Sequence, residues 1–281
     1  MLDDIISFNI PVLLLFDPGQ LPAIFGSNIY VNDSTRSDVF LTQIMRQDDE
    51  SGILDLASKA RLGEPLEFGK YKNSLVTSAD MIIDKLHTYD MIITFSNKLR
   101  RLINLRVRAQ KGYTSIYPQK GEKLLCLANN YNYNVEYNDI PIYLINGLQG
   151  YVTEDSKLYD HEELDTVKIK FIPDFIMGHD GNGHNYEFDV PCYKEIFEQY
   201  CKDPSREAFL ETMYEEADDE TIGEIGMLDF GYCLTCHKSQ GSEAPNVLVL
   251  VERKIPSNIY AKWLYTAITR AQESVTVATF E

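Results

Sequence analysis

The sequence predicts an α/β protein in which a near-neutral scaffold is interrupted by an acidic, β-rich block. Three observations carry that expectation. Short apolar runs at residues 11–16, 89–95 and 246–251 have the texture of buried parallel strands, and helical patterns lie between them. From residue 121 the texture changes to short β-type runs separated by turn residues. Charge partitions along the same border. Residues 130–229 hold 24 acids and 6 bases, whereas the other 181 residues hold 19 acids and 20 bases.

The elements follow in order. Residues 11–16 read as a buried strand ending at Asp17-Pro18-Gly19. Residues 37–45 read as a strand or short helix ending in Arg46. Residues 48–61 keep helical spacing through Ile53, Leu54, Ala57 and Ala60, and Gly63 supplies the stop. Residues 80–86 read as helix and 89–95 as strand. Ser96-Asn97 then caps a basic helix to about residue 110, closed by Gly112. Runs at 123–127, 140–145, 149–152, 166–171 and 186–190 read as strands of a small barrel or sandwich, with turns at Asn146-Gly147 and Asn182-Gly183. Residues 193–217 read as an acidic helical stretch broken at Pro204. The α/β texture then returns, with a strand at 246–251, a helix at 259–270 and a strand at 274–279.

Composition bounds the function. No apolar run is long enough for a transmembrane helix. The first sixteen residues carry two acids and no base, which does not suit a signal peptide. Five cysteines, an odd number, do not make a secreted disulfide framework. A cytoplasmic or nucleoid-associated location is expected, with no membrane partner. A net charge of −17 taken as a bulk property argues against nucleic acid. Yet residues 94–123 carry eight bases and one acid, either a solvated helix face or a surface that tracks phosphates.

Four stretches are dense in chemistry: residues 16–24 (FDPGQLPAI), 41–47 (LTQIMRQ), 234–243 (LTCHKSQGSE) and 263–271 (WLYTAITRA). In this order they resemble the C-terminal motifs of superfamily 1 DNA helicases, closest to the RecD-like and Dda-like (superfamily 1B) branch with a UvrD-like C-terminal domain. Thr94-Phe95-Ser96-Asn97 and the basic helix resemble a further motif of that branch. Gly121-Glu122 through Gly150 resembles the entry into its SH3-like insertion.

The resemblance implies a RecA-like parallel sheet of the P-loop NTPase type with an inserted SH3-like β domain. Residues 1–64 would be the tail of a first RecA-like domain. Residues 65–127 and 228–281 would form the second, and 128–227 the insertion. It implies that Arg46 and Arg270 reach the γ-phosphate of ATP, where planar, permanent charges stabilise developing negative charge. It implies that Gln20 senses that phosphate or its attacking water, that Asp17 belongs to the nucleotide site, and that Glu243 accepts from the ribose. His237, Ser239 and Gln240 would contact single-stranded DNA, with Asn97 and Arg101 as further candidates. For His237 and Ser239, helix capping and local packing stand as the alternative.

Cys233-Leu-Thr-Cys236-His237 also spells C-x-x-C-H, a haem-attachment or metal-ligand spacing, but no second cysteine pair lies nearby, and neither haem nor zinc is expected. No G-x-x-x-x-G-K-[ST] occurs, and no Asp-Glu pair of the Walker B kind is found ahead of residue 17. The resemblance therefore implies the C-terminal portion of a helicase that uses ATP with Mg2+ and moves 5′-to-3′ in replication, recombination or repair. It would work with an N-terminal half that carries both Walker motifs. The rival is a non-catalytic remnant that binds single-stranded DNA or a protein. A third reading has the acidic block mimic DNA or dock a basic partner.

Overall fold

Two sheets of different kind divide the chain in the computed structural model, which describes residues 2–13, 15, 17–22, 51–161, 164–176, 186–198 and 219–280. The first sheet has the order β1 (Gly69–Tyr71), β2 (Ser74–Ser78), β14 (Ala271–Thr279), β13 (Ala244–Val251), β3 (Met91–Thr94), β12 (Cys233–Thr235). Its strands are parallel from β2 to β12, and β1 folds back antiparallel at the edge. The two-sided burial of a parallel sheet explains why β3 and β13 are almost wholly apolar: Ile92, Ile93, Val247, Leu248, Val249 and Leu250 are all buried.

The second sheet is antiparallel, in the order β10 (Phe188–Tyr193), β9 (Leu164–Pro173), β7 (Gln149–Val152), β4 (Lys123–Cys126), β11 (Leu228–Phe230), with β8 (Lys157–His161) also pairing β9. Sheet membership thus changes at Lys123 and again after Phe230. The hairpin of β5 (Asn130–Tyr137) and β6 (Ile140–Leu144) stands beside it. Its two-residue turn, Asn138-Asp139, has positive φ at both positions, which matches the right-handed twist of the flanking strands.

The helices are α1 (Leu2–Ser7), α2 (Gly52–Leu62), α3 (Asn97–Gln110), α4 (Glu195–Glu198), α5 (Asp219–Gly223), α6 (Cys236–Ser239) and α7 (Ser257–Ile268). Ser51 caps α2 by accepting from the Ile53 amide, and Gly63 ends it in the left-handed conformation, φ 72°. The Gly63 stop agrees with the sequence expectation, whereas the Ser51 cap was not expected. On α7 the buried face is Trp263, Leu264, Ala267 and Ile268, and Trp263 meets Phe95 edge-on with ring centroids 6.4 Å apart.

Several expectations need correction. Residues 11–13 and 15 do not form a buried strand: Val12, Leu13 and Leu15 are exposed, because no neighbouring strand covers them among the described residues. Residues 79–88 form two short 3-10 turns (Ala79–Met81 and Ile83–Thr88) instead of an α-helix. The expected element at 37–45, the Asn182-Gly183 turn and most of the acidic stretch at 193–217 lie outside the described residues.

The basic helix α3 is neither a plain solvated face nor a plain phosphate track. Arg100 and Arg108 point inward. Arg100 Nη2 donates to Asp229 Oδ2 at 2.7 Å, with both side chains buried. Arg108 Nε and Nη2 donate to Glu122 Oε1 and Oε2 at 2.6 and 2.9 Å, and its guanidinium lies 3.9 Å from the centroid of the Phe230 ring. Between them Asn104 donates to the Phe230 carbonyl and accepts from the Cys233 amide. These contacts join α3 to the segment that leads from the antiparallel sheet back into the parallel one. Buried charges persist only when paired, so these two arginines serve the fold.

Candidate functional site

The C-terminal end of α7, the loop at Asp17–Pro22 and the outer face of α2 enclose a cleft of about 210 Å³. Asp17, Gln20, Arg61, Tyr265, Thr269 and Arg270 supply its polar lining, and Ile53, Leu54 and Ala57 its apolar wall. Three of the expected nucleotide residues, Asp17, Gln20 and Arg270, meet here.

The loop is built around the Asp17 carboxylate. Its Oδ1 accepts from the Gly19 amide at 2.9 Å. Its Oδ2 accepts from the Tyr265 hydroxyl at 2.9 Å and from Gln20 Nε2 at 3.3 Å. Asp17 therefore acts on α7 and on Gln20, with three donors already on it. Gly19 lies so close to Tyr265 that an added Cβ would sit 3.0 Å from the ring, tighter than ordinary contact. The Leu21 amide donates to Thr266 Oγ1 at 2.8 Å, and Gln240 Nε2 donates to the Leu21 carbonyl at 3.0 Å. Burial, then the hydrogen bond to Asp17, hold the Tyr265 hydroxyl above its ordinary pKa, so it stays a donor at neutral pH.

Arg270 is 6% exposed and its guanidinium is fixed from three sides. Nε donates to the Thr266 carbonyl at 3.1 Å, Nη1 to the Ser242 carbonyl at 3.4 Å, and Nη2 to Thr269 Oγ1 at 3.2 Å. A guanidinium pinned this way offers its charge to the cleft without losing further side-chain freedom on binding. Arg61, which the sequence reading missed, faces the same cleft from α2, its guanidinium 5.7 Å from the centroid of the Tyr265 ring. Its only sequence signal was its place in the last helical turn, two residues before the Gly63 stop. Arg46, the other expected arginine, lies outside the described residues.

The expected DNA residues fall in different surroundings. Ser239 is wholly buried and its hydroxyl donates to the Cys236 carbonyl at 2.8 Å, which is the local-packing role. His237 is half-buried beside the Pro22 carbonyl, and burial lowers its pKa below the ordinary 6.5, so it is neutral at pH 7. Gln240 spans to Leu21, as above. Glu243 is exposed next to Ser242. Asn97 is exposed, but its Oδ1 accepts from Arg100 Nε at 3.3 Å, and Arg101 is half-buried. The start of α3 already holds an anion: Glu252 accepts from the amides of Phe95 and Ser96 at 2.8 and 2.7 Å, and from the Ser96 hydroxyl at 2.6 Å. That carboxylate sits where a phosphate would otherwise be drawn to the helix N-terminus.

The C-x-x-C-H spacing resolves into packing. Cys233 Sγ lies 3.7 Å from Thr94 Oγ1, and Cys236 Sγ is 3.5 Å from the Trp263 carbonyl. Burial pushes both thiols up to about 12, which keeps them protonated and poor as ligands or nucleophiles.

Residues 230–278 match the family described as the UvrD-like helicase C-terminal domain. The matched stretch, from Phe230 through Ala278, holds α7 and Arg270. Among solved structures the chain is similar to a Pif1 helicase from Candida albicans, at 15% identity and a TM-score of 0.44, covering 85% of this chain and 55% of that one. It is similar to a Bacteroides Pif1 in complex with ADP-AlF3 and ssDNA, at 17% identity and a TM-score of 0.41, covering 85% and 51%. A Bacteroides Pif1 bound to ssDNA matches at 13% identity and a TM-score of 0.34, covering 83% and 50%. The chain spans about half the length of these structures. No curated protein matches it by sequence. No helix among the described residues is long and apolar enough to cross a membrane.

Proposed function

We propose that this chain is the arginine-bearing half of an ATP-dependent DNA helicase, which translocates 5′-to-3′ on single-stranded DNA when joined to a half that carries the Walker motifs. The observation that carries this is the convergence on one cleft of the Gln20 amide, the pinned Arg270 and Arg61. Two guanidiniums and an amide suit the anionic end of a nucleoside triphosphate, whose equatorial oxygens gain charge during transfer. Its magnesium would be held elsewhere, since Asp17 is engaged by three donors. The nucleotide supplies the phosphoryl group and the free energy. Arg270 and Arg46 stabilise the developing charge, Gln20 positions the water, and Glu243 is assigned to the ribose.

Closure of this cleft would pull on the Asp17–Pro22 loop, and through Gln240 and Leu21 on α6 and its C-cap, whose His237 and Gln240 are assigned to DNA. The exposed apolar side chains Ile10, Val12, Leu13 and Leu15 support a sheet neighbour contributed by the Walker-bearing half. The test is reconstitution with that half. DNA-stimulated ATP hydrolysis, and unwinding of a duplex with a 5′ tail but not one with a 3′ tail, are expected. Hydrolysis by this chain alone, or none after mixing, would refute the proposal. The absence of a P-loop from the sequence keeps a second reading in view, a module that binds single-stranded DNA without turnover. DNA binding with no ATPase in the reconstituted pair would favour it.

A further inference from the structure

The acidic block contains an uncharged island. Residues 124–135 and 140–150 have no Asp, Glu, Lys or Arg, although the block around them is strongly negative. They build the β5–β6 hairpin and its flanks, and their exposed side chains are Tyr131, Tyr143, several asparagines, and the apolar Ile140, Pro141 and Ile145. Tyr131 is 64% exposed and Tyr143 37% exposed, and their ring centroids lie 5.7 Å apart at 68°.

A run of hydrogen bonds leads from these rings to α6, which follows β12. Asn129 Nδ2 donates to Tyr131 Oη at 3.2 Å. Asn129 Oδ1 accepts from the Asn146 amide at 2.8 Å. Asn146 Oδ1 accepts from Lys238 Nζ at 2.9 Å. Lys238 lies between His237 and Ser239, in the segment already assigned to DNA. The strip is therefore continuous with that segment and carries one cation, at the end nearest it.

A surface that tracks phosphates needs cations, whereas one that takes bases needs π-faces and amide groups. This strip has the second chemistry, and its nearest carboxylates, Glu136 opposite Pro141 and Asp139 in the turn, lie toward the hairpin tip, away from Lys238. The edge-on geometry leaves one ring's face free for a base, with the other ring as a wall. We propose that Tyr131 and Tyr143 form a base-stacking platform that extends the single-stranded DNA path from Lys238 onto the β5–β6 hairpin. The bases face the hairpin and the phosphates face solvent and Lys238. The proposal rests on the helicase reading above.

The experiment is fluorescence anisotropy of a short labelled oligothymidylate with the full chain, over a range of salt. Y131A/Y143A is expected to weaken binding about tenfold or more, with the salt slope unchanged, because stacking displaces no counterions. K238A is expected to lower that slope by about 0.7. Y143W is expected to keep the affinity and to show tryptophan quenching when the oligonucleotide binds. Both tyrosines are exposed, so the melting temperature reports that the variants are folded. If the parent binds and Y131A/Y143A binds equally well, or Y143W shows no quenching, the platform is overturned while the helicase reading stands. If the parent binds no oligonucleotide, the platform falls, while the helicase reading is decided by reconstitution with the Walker-bearing half.

Discussion

Replacing Arg108 by methionine tests whether the basic helix serves the fold or the DNA. In the parent, Glu122 is fully buried and accepts from Arg108 twice, at 2.6 and 2.9 Å, and from the Gln119 amide at 2.9 Å. Arg108 also donates to the Ser115 carbonyl at 2.6 Å and stacks on Phe230. Methionine keeps the stem and the contact with the ring but leaves the Glu122 carboxylate buried with one partner fewer. Breaking one side of such a pair costs about 3–5 kcal/mol. For a chain of this size that lowers Tm by roughly 10 °C. R108M/E122M removes both charges and is expected to recover much of the loss, since apolar replacement of a whole buried pair is often near neutral. Calorimetry and urea titration read the stability, and oligonucleotide binding against salt reads the DNA role. The inward-facing account expects a large stability loss with an unchanged salt slope. Unchanged stability with a slope reduced by about 0.7 would show that Arg108 contacts phosphate.

Three further outcomes follow from the same geometry. T266V removes the acceptor of the Leu21 amide and is expected to cost about 1–3 kcal/mol locally, read as faster hydrogen exchange at Leu21; unchanged exchange would detach the Asp17–Pro22 loop from α7. Burial lowers the His237 pKa, so the unfolded chain binds the extra proton: the stability contribution is full above the ordinary 6.5 and is lost as pH falls through the lowered folded value. H237Q should flatten that part of the curve, and an unaltered pH profile would contradict the placement. Cys233 and Cys236, pushed up to about 12, should resist alkylation at pH 8 in the native chain and react in denaturant, as read by mass spectrometry. Prompt native labelling would contradict their burial.

What could be read in the sequence was whatever depends on local pattern. The buried runs in β3 and β13, the Ser96 cap of α3 and the Gly63 stop follow from burial and backbone preference alone. The run at residues 11–16 misled because its apolar pattern records a burial that the described residues do not supply. Strand β5 was missed because asparagines, which resemble loop, recur along it at 130, 132 and 134, and its inward face needs only Val135 and two half-buried tyrosines. The basic helix misled for another reason: a count of charges does not say which way a guanidinium points. Arg100 and Arg108 find carboxylates at Asp229 and Glu122, 129 and 14 residues away. Gln20 and Arg270 could be singled out because their motifs are compact. Arg61 could not, since it joins the cleft only through the docking of α2 on α7.

The most direct test is the single-turnover ATPase rate of the assembly reconstituted with its Walker-bearing half, comparing the parent with R270A. If Arg270 is aimed at the γ-phosphate, R270A lowers the rate about a thousandfold or more while nucleotide affinity changes little. An unchanged rate, or a loss confined to nucleotide affinity, would contradict the account.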